Sequence, residues 1–539
     1  MGIYLNPGNE GFRSAVRSKI YIDKTGLLEY TNSVLDTEQR YICISRPRRF
    51  GKSIAAEMLV AYYDKSCDSK ELFQGRKIAK DKTFMKHLNQ YDVIHVDMNS
   101  LCHKRNKKTK KEISATEAVN VFHLAVIEEL RKVFPDFVEE DDVDLPSVLA
   151  EINENTGNKF IIIIDEWDAI FREHKEDESA QREYITLLRG LFKDAPSKKF
   201  LKLGYLTGIL PIKKYGTESA LNNFDEFTMI NPGRLSEYVG FTENEVLELC
   251  KEYNMDFEEI KCWYDGYSFT RTKHVYNPNS VVKAMLNREY SNYWTRTETY
   301  ESLKNYISMN YDGLKDAIIQ MIAGGRYKIS TNKFQNDMVS FKSRDDILTL
   351  LIHLGYLTFD AEHKEVFIPN KEIREEFEEA IDAAGWDYVM QAITSSDELL
   401  QATWRGDEEA VAEGIDKVHA ANTSILNYNN ENALSCVISL AYYNAMNEYT
   451  LVRELPSGKG YADVVFLPRK GSDKPAMVVE LKWNQSAKGA IAQIKEKRYT
   501  QALREYQGNL LLVGINYDKE SKKHDCMIEQ MEIEQTQKS

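Results

Sequence analysis

The sequence predicts an α/β protein in which a parallel β-sheet domain comes first, a helical middle region follows, and a second, smaller α/β domain ends the chain. Three observations lead to this prediction. Strand-sized apolar runs alternate with helical patterns over the first 230 residues, which is typical of a parallel sheet covered by helices. The pattern is largely helical over about 231–330, and apolar strand-like runs return after residue 421.

The elements of the first domain follow from their hydrophobic patterns. Short, uniformly apolar runs predict strands that are buried on both faces, and longer amphipathic runs predict helices. The predicted strands are Tyr41–Ile44, Val93–Val96, Phe160–Ile164 and Lys202–Thr207, and the predicted helices are Lys52–Tyr63, Ala115–Phe134 and Tyr184–Lys193.

The later elements are predicted in the same way. A helix over Asp346–Leu354, ending at Gly355, precedes a hairpin of Tyr356–Phe359 and Val366–Ile368 and a helix from Lys371, which is the outline of a winged-helix-like module. Residues 396–420 have the pattern of a helical connector. In the last domain we expect helices near Glu431–Tyr443 and Gly489–Tyr506 and strands at Tyr461–Leu467, Ala476–Lys482 and Asn509–Ile515.

Length and composition exclude several classes of protein. A chain of 539 residues should hold three or four folding units. Its 42% hydrophobic and 29% charged residues exclude wholesale disorder, collagen and coiled-coil rods. The 70 Lys and Arg residues against 84 Asp and Glu residues exclude a histone-like polycation. Residues 451–539 alone hold 15 basic and 12 acidic residues, which suits a local site for a polyanion.

The sequence indicates a cytoplasmic protein. No apolar run approaches the length of about 20 residues that a membrane-spanning helix needs, so we expect no membrane partner. The first residues show no charged-then-apolar signal segment. The seven cysteines are scattered, without metal-binding or redox spacing, and we expect them to be reduced.

A phosphate-binding loop is predicted at Ser45–Ser53 (SRPRRFGKS), between the first strand and the helix after it. Backbone N–H groups and a helix N-terminus converge at such a position and favour anions. Lys52 would reach the β- and γ-phosphates of ATP, and the Ser53 hydroxyl would hold Mg²⁺. Arg46 stands where the usual first glycine of this motif is expected, so the motif is incomplete.

Acidic and polar residues end the next two predicted strands of this domain. Ile161–Ile164 leads into Asp165 and Glu166, and strand ends of a parallel sheet face the ligand crevice. Asp165 is therefore predicted to hold Mg²⁺, and Glu166 to polarise the attacking water. Thr207 ends the following strand, where a polar sensor of the γ-phosphate is expected, although a strand-capping role would explain it as well.

A metal-dependent site for phosphodiester hydrolysis is predicted near the C-terminus. Asp463 begins one strand, while Glu480 and Lys482 lie two residues apart on the next, so the latter two project from one face. Two carboxylates of this kind suit Mg²⁺ or Mn²⁺, and the lysine would offset charge in the transition state. The alternative is an ordinary salt-bridged pair on an exposed strand.

Six short motifs together resemble the bacterial AAA-ATPase-like family, members of which commonly carry a C-terminal PD-(D/E)xK nuclease domain. They are Tyr21–Thr25 (YIDKT), Arg46–Ser53 (RPRRFGKS), Asp165–Asp168 (DEWD), Leu206–Ile209 (LTGI), Trp263–Tyr267 (WYDGY) and Val275–Pro278 (VYNP). The resemblance covers essentially the whole chain, and the family's phosphate loop also begins with the RPRRFGKS pattern.

The resemblance implies roles for further residues. Glu431 corresponds to an acid that many such nucleases supply upstream, and Gln493 and Tyr499 correspond to a Q-x5-Y helix that supports the site or contacts phosphate. Gly51 belongs to the phosphate loop, and Arg48 and Arg49 would contact phosphates or a neighbouring subunit, or be solvated loop residues. Ala462 stands where some members have proline, while the acidic and lysine positions are intact.

The resemblance and the patterns together predict five segments. They are a P-loop AAA-ATPase-like domain at 1–230, a helical lid region at 231–330, a winged-helix-like module at 331–395, a helical connector at 396–420, and a restriction-endonuclease-like PD-(D/E)xK domain at 421–539. We expect an ATP-regulated nuclease that acts on DNA, in defence or on mobile elements. The alternatives are a nucleotide-switched scaffold or signalling ATPase whose last domain only binds nucleic acid, and an ATP-dependent remodeller. Homo-oligomerisation stays open.

Two charged segments have competing interpretations. The lysine-rich stretch 104–111 could contact nucleic acid, but it lacks interleaved aromatic residues and equally suits a solvated loop. The winged-helix-like module is rich in acids such as Asp345, Glu372 and Glu376, which favours packing between domains over DNA reading.

Overall fold

The computed structural model divides the chain into two compact units, each made of two segments. The first unit comprises Met1–Thr295 and Lys328–Ile373, and the second comprises Arg296–Tyr327 and Arg374–Ser539. The residues described are 2–105, 112–212, 214–215, 218–219, 221–294, 299–309, 311–332, 334, 341–422, 437–457, 460–469, 472–496 and 509–532, with the backbone alone described at 214–215, 218–219, 299–302, 421–422, 453–457, 460–463 and 532.

A five-stranded, wholly parallel sheet forms the centre of the first unit. Its strands are β1 (Tyr41–Ser45), β2 (Asp92–Asp97), β3 (Phe160–Asp165), β4 (Leu201–Gly208) and β7 (Asp225–Phe227), in the order β2-β3-β4-β1-β7. Every residue of β1 and β3 is buried, which explains their unbroken apolar sequences. The predicted α/β fold with a parallel N-terminal sheet is confirmed.

Helices cover this sheet and its core. They begin at good capping residues where the sequence offers them: Ser114 caps the helix Ala115–Val133, and Asp144 caps the helix Leu145–Thr156. The helices of the region are Glu10–Val16, Leu27–Val34, Lys52–Tyr63, Lys70–Phe73, Phe84–His87, Met98–Cys102, Ala115–Val133, Leu145–Thr156, Ala169–Glu173, Glu178–Phe192 and Ser197–Phe200.

The rest of the first unit is mostly helical, as the sequence predicts. Short strand pairs are formed by β5 (Lys214–Tyr215) with β6 (Glu218–Ser219) and by β8 (Phe241–Thr242) with β9 (Val275–Tyr276). The helices Glu243–Tyr253, Phe257–Tyr264 and Pro278–Asn287 bury one apolar cluster among themselves.

The predicted helix–hairpin–helix module is present and contacts the phosphate loop. Its helix Arg344–Leu354 ends at Gly355, which has φ +89°, and its hairpin is β11 (Thr358–Asp360) with β12 (Glu365–Phe367). A Cβ on Gly355 would lie 2.7 Å from Pro47 of the phosphate loop, so only glycine fits this approach. The strand β10 (Tyr327–Lys328) joins the hairpin, and the helix Lys371–Ala383 follows it.

A mixed five-stranded sheet forms the centre of the second unit. Its strands β13 (Tyr449–Ser457), β14 (Gly460–Pro468), β15 (Ala476–Trp483), β16 (Asn509–Asp518) and β17 (Lys523–Glu532) lie in sequence order, with only β15 and β16 parallel. The predicted strands are present, and the two edge strands β13 and β17 were not predicted. The helices are Thr299–Ile307, Leu314–Ile322, Asp387–Arg405, Glu408–Asn422, Ala445–Glu448 and Ala487–Glu496.

In the part of the chain that the structure describes, no helix is both long and apolar enough to cross a membrane.

Candidate functional site

The carboxyl ends of three parallel strands bring the predicted nucleotide residues together. In the sheet register Ser45 pairs with Gly208 and Ile44 with Thr207, while Ile164 pairs with Leu206. The phosphate loop, Asp165 and Thr207 therefore meet at one edge of the sheet, as expected for a ligand crevice of a parallel sheet.

The loop at 45–53 has the backbone of an anion site. Gly51 adopts φ +90° and Arg49 φ +67°, and the helix that follows begins at Lys52. A Cβ built on Gly51 would meet no atom of the described residues within 4 Å, so the loop leaves open space in front of the helix N-terminus. These features fit a bound phosphate chain.

Arg46 points into the protein interior. It is fully buried, donates from Nη1 to the Phe227 carbonyl at 3.0 Å, and places its guanidinium 5.0 Å from the ring centre of Phe269. Burial, and secondarily the charge of Arg46, lowers the pKa of the buried His353 to about 3. Arg46 thus packs the start of the phosphate loop against Phe227 and Phe269.

The other two loop arginines contact protein groups. Nη2 of Arg48 lies 3.6 Å from Oε1 of Glu173. Arg49 donates from Nη1 to the carbonyl oxygens of Tyr293 and Trp294 at 3.2 and 3.0 Å. Their predicted contact with phosphates stays a prediction.

Asp165 is linked to both predicted partners. The Thr207 hydroxyl donates a hydrogen bond to its carboxylate. Burial raises the pKa of Asp165, and the hydroxyls of Ser53 and Thr207 offset part of that effect. A buried carboxylate beside a hydroxyl at the start of the helix is a donor set that suits a hard cation such as Mg²⁺.

Glu166 is held by two cations on an unusual backbone. Its φ of +50° is in the left-handed region, which glycine favours. Its Oε1 lies 3.3 Å from Lys52 Nζ and its Oε2 lies 2.6 Å from Arg172 Nη2. Burial favours the neutral acid, yet these two charges outweigh it and hold the pKa of Glu166 below its ordinary value.

Sequence reasoning missed two members of this site, Asp168 and Arg172. Asp168 is buried, accepts hydrogen bonds from the backbone N–H groups of Ile209 and Leu210, and pairs with Arg172 at 3.1 Å. The spacing of four residues between an acid and an arginine, directly after the Asp165–Glu166 pair, was the available signal.

The second predicted site lies in the other unit, on β14 and β15. Val464 of β14 pairs with Val479 of β15, and the next residues toward the site are Asp463 and Glu480 on these neighbouring strands. Of Asp463 the structure describes only the backbone.

Glu480, Lys482 and Gln493 form a compact polar cluster in this unit. Glu480 and Lys482 are 1% and 8% exposed. Lys482 Nζ lies 3.3 Å from Glu480 Oε1 and donates to Gln493 Oε1 at 2.6 Å, and the Gln493 amide donates to Glu480. The acid–lysine pair is therefore buried and not on an exposed strand face.

Two further residues hold the helix that carries Gln493, and sequence reasoning did not identify them. The Asp525 carboxylate accepts from the backbone N–H of Ala487, the first residue of the helix, at 3.0 Å and from the Asn516 amide at 2.7 Å. The Asn516 side-chain oxygen accepts from Gln485 N–H at 2.9 Å. These bonds fix the turn between β15 and the helix.

Several predicted residues lie outside the described parts of the chain. These are Glu431, Tyr499 and the lysines at 106–111. Among the described side chains, no group of three or more His, Cys, Asp and Glu residues is arranged to hold a metal ion. A metal site at Glu480 thus depends on Asp463, whose side chain is not described.

Fold and site together define a class of protein: a P-loop ATPase fold with a phosphate loop and acidic strand end, joined to a second α/β unit with a buried E-x-K strand. Residues 10–217 match the family described as predicted AAA-ATPase, and residues 429–526 match the PD-(D/E)XK nuclease superfamily. The resemblance stated from the motifs is confirmed: the chain joins an AAA-ATPase-like region to a PD-(D/E)XK nuclease superfamily region.

Relatives are distant. An uncharacterized protein in the vnfD 5' region of Azotobacter chroococcum mcd 1 is 24% identical over 284 residues, which are 52% of this chain and 51% of that protein. The chain therefore spans about half the length of this curated relative. The ORC2 protein of Aeropyrum pernix, solved as ADPNP–ADP complexes, is 11% identical, with 68% of this chain and 97% of that chain covered and a TM-score of 0.32. A DNA replication initiation factor is 13% identical, with 79% and 97% covered and a TM-score of 0.23.

Proposed function

We propose that this protein is an ATP-regulated, metal-dependent nuclease that cleaves DNA, with a role in defence or against mobile elements. The observation that supports this most is the buried cluster of Glu480, Lys482 and Gln493, at the strand pair that also carries Asp463. Burying an acid and a lysine together costs desolvation free energy, so such a pair is more readily explained by chemistry than by stability.

In the nuclease unit, Asp463 and Glu480 would hold Mg²⁺ or Mn²⁺. Such an ion polarises a phosphodiester and lowers the pKa of a bound water. Lys482 supplies a positive charge for the phosphate as its negative charge grows in the transition state. Gln493, which contacts both side chains, keeps them oriented. Glu431 would add a further acid, on the family pattern alone.

In the ATPase unit, Gly51 and the helix N-terminus would receive the phosphates, with Lys52 on the β- and γ-phosphates. Ser53 and Asp165 would hold Mg²⁺, which neutralises phosphate charge when bound. Glu166 would orient the attacking water. Thr207 hydrogen-bonds Asp165 and so could report the state of the γ-phosphate to β4.

We place the protein in the cytoplasm of a bacterium, with ATP and DNA as partners. The scattered cysteines, which have no disulfide spacing, support this location. Homo-oligomerisation is compatible with this function, and Arg48 or Arg49 would then be candidates for contact with a neighbouring copy.

The test is a cleavage assay of the purified full-length chain on plasmid, single-stranded DNA and RNA, with Mg²⁺ or Mn²⁺ and with or without ATP. Asp463→Ala and Glu480→Ala should abolish cleavage and leave nucleotide binding unchanged. Glu529→Ala is the matched control, because Glu529 is also a strand glutamate paired with a lysine, Lys495, but at the surface.

The outcomes separate the rival functions. Cleavage by the wild type and by Glu529→Ala, but not by Glu480→Ala, supports the nuclease proposal. Cleavage that Glu480→Ala retains would remove this site from consideration. A wild-type protein that binds DNA and ATP but never cuts would favour the nucleotide-switched scaffold.

A further inference from the structure

We propose that Arg172 is a positioning residue for ATP hydrolysis, which keeps the Glu166 carboxylate in place when Lys52 engages the phosphates of the nucleotide. The inference rests on the proposed ATPase function and assigns a role to a residue outside the phosphate-loop and acidic-strand motifs.

The Arg172 guanidinium makes three ion pairs in a buried setting, with only 6% of its side chain exposed. Its Nη2 lies 2.6 Å from Glu166, its Nε 3.1 Å from Asp168 and its Nη1 3.2 Å from Glu173. A planar guanidinium can serve several carboxylates at once from fixed directions, which a lysine cannot do.

The guanidinium is itself anchored to the backbone after β4. The oxygen of Asp168 that pairs with Arg172 also accepts from the N–H groups of Ile209 and Leu210, at 3.1 and 2.9 Å. β4 is the strand that carries Thr207, the partner of Asp165. Arg172 is therefore fixed relative to the strand ends that form the nucleotide site.

Glu166 is shared between this fixed cation and a second one with another task. Lys52 Nζ lies 3.3 Å from Glu166 Oε1 and 3.1 Å from the Pro47 carbonyl. A lysine in a phosphate loop is needed on the β- and γ-phosphates of the nucleotide. Its ammonium group has only three N–H donors, so Lys52 cannot bind these phosphates and keep its contact with Glu166 unchanged. Arg172 contacts the other oxygen of Glu166, so its hold on the carboxylate does not depend on Lys52.

The position of Glu166 matters because a group that orients the attacking water acts through geometry. A displacement of about 1 Å costs on the order of 10²-fold in rate. Without Arg172, Glu166 would keep its left-handed backbone conformation, but its carboxylate would lose its fixed partner. We therefore expect turnover, and not nucleotide affinity, to depend on Arg172.

The experiment measures kcat for ATP and the Kd of a fluorescent ATP analogue in full-length variants. Arg172→Ala should lower kcat by about 10- to 100-fold and leave Kd within about twofold. Arg172→Lys should restore part of the loss. In a Glu166→Gln background, Arg172→Ala should cause no further loss, because the two residues act as one unit. The control is Arg182→Ala, which removes an exposed arginine paired with Glu178 on a nearby helix and should change neither constant.

Three results would overturn the inference. The first is an Arg172→Ala variant with wild-type kcat. The second is a fall of kcat on adding Arg172→Ala to Glu166→Gln that equals the fall in the wild-type background, and the third is a weaker Kd with unchanged kcat. If Arg172→Ala does not fold, Arg172→Lys decides, since a lysine cannot hold Glu166 and Asp168 together and wild-type kcat would then refute the role. A wild-type protein without ATPase activity would instead refute the proposed function itself, and the inference with it.

Discussion

Lys482→Met tests whether the buried cluster in the nuclease unit is a working site. Methionine keeps an unbranched apolar stem out to the ε-carbon and removes the ammonium group, which lies 3.3 Å from Glu480 and 2.6 Å from the Gln493 oxygen. Glu480, 1% exposed, would keep the Gln493 amide as a remaining donor. The side chain proposed to act on the phosphate is thereby lost while the strand and its packing remain.

The structure sets the size of the expected effects. Removing one partner of a buried ion pair costs about 3–5 kcal/mol in the free energy of unfolding, and the remaining amide donor favours the lower value. For a unit of 150–250 residues, about 3 kcal/mol corresponds to a fall of about 6–12 °C in melting temperature. The rate of DNA cleavage should fall on the order of 10²–10³-fold, as for a group that acts mainly in the transition state.

The assay combines thermal unfolding followed by circular dichroism with cleavage measured well below the lower melting temperature. Lys495→Ala is the control, because Lys495 lies on the same helix as Gln493 but pairs with Glu529 at the surface. Its loss should cost about 0–1 kcal/mol and leave cleavage unchanged. If Lys482→Met cuts at the wild-type rate, or melts together with the control, the reasoning about this cluster is wrong.

Three further predictions concern both units. Lys52→Ala should abolish binding of a fluorescent ATP analogue, whereas Glu166→Gln should bind it and hydrolyse ATP on the order of 10²-fold more slowly; equal loss of binding in both would contradict the assigned roles. Burial holds His353 neutral and lowers its pKa to about 3, whereas its pKa in the unfolded chain is about 6.5. The free energy of unfolding of the first unit should therefore decrease as pH falls below about 6.5, by about 2 kcal/mol at pH 5. Urea unfolding of His353→Phe should lack that part of the pH dependence. A fragment 387–539 should melt at a higher temperature than a fragment 421–539, because the helix Glu408–Asn422 accepts hydrogen bonds from the backbone of β17.

Strong periodicity made parts of the fold predictable. The helix Lys52–Tyr63 begins and ends at the residues that its hydrophobic pattern predicts, and the uniformly apolar sequence of β3 predicts a buried strand. The edge strands β13 and β17 were missed because an edge strand is packed on fewer sides and carries mixed polar and apolar residues, so its sequence lacks a clear alternation.

The acidic and lysine residues of both candidate sites could be proposed from the sequence because their chemistry and spacing appear together in short motifs, and their roles stay predictions. The residues that hold these acidic and lysine side chains in position could not be predicted from the sequence. Arg172, Asp525 and Asn516 act through side-chain directions and strand register, which a sequence does not display. Arg46 is similar: a loop arginine is expected at the surface, and only the packing of Phe227 and Phe269 around it shows that it is buried.

The interleaved segments of the two units impose an order on synthesis at the ribosome. The first unit includes Lys328–Ile373, so its folding can be completed only after residue 373 has emerged. Residues 296–327, which belong to the second unit, have been synthesised before that point. The partners of that segment come later still, since Lys315 packs on the rings of Trp386 and Tyr388. At about 5–20 residues per second, the stretch from residue 328 to residue 388 takes on the order of three to twelve seconds to appear. During that interval the helix Leu314–Ile322 lacks the cover of Trp386 and Tyr388, so the nascent chain carries an aggregation-prone segment.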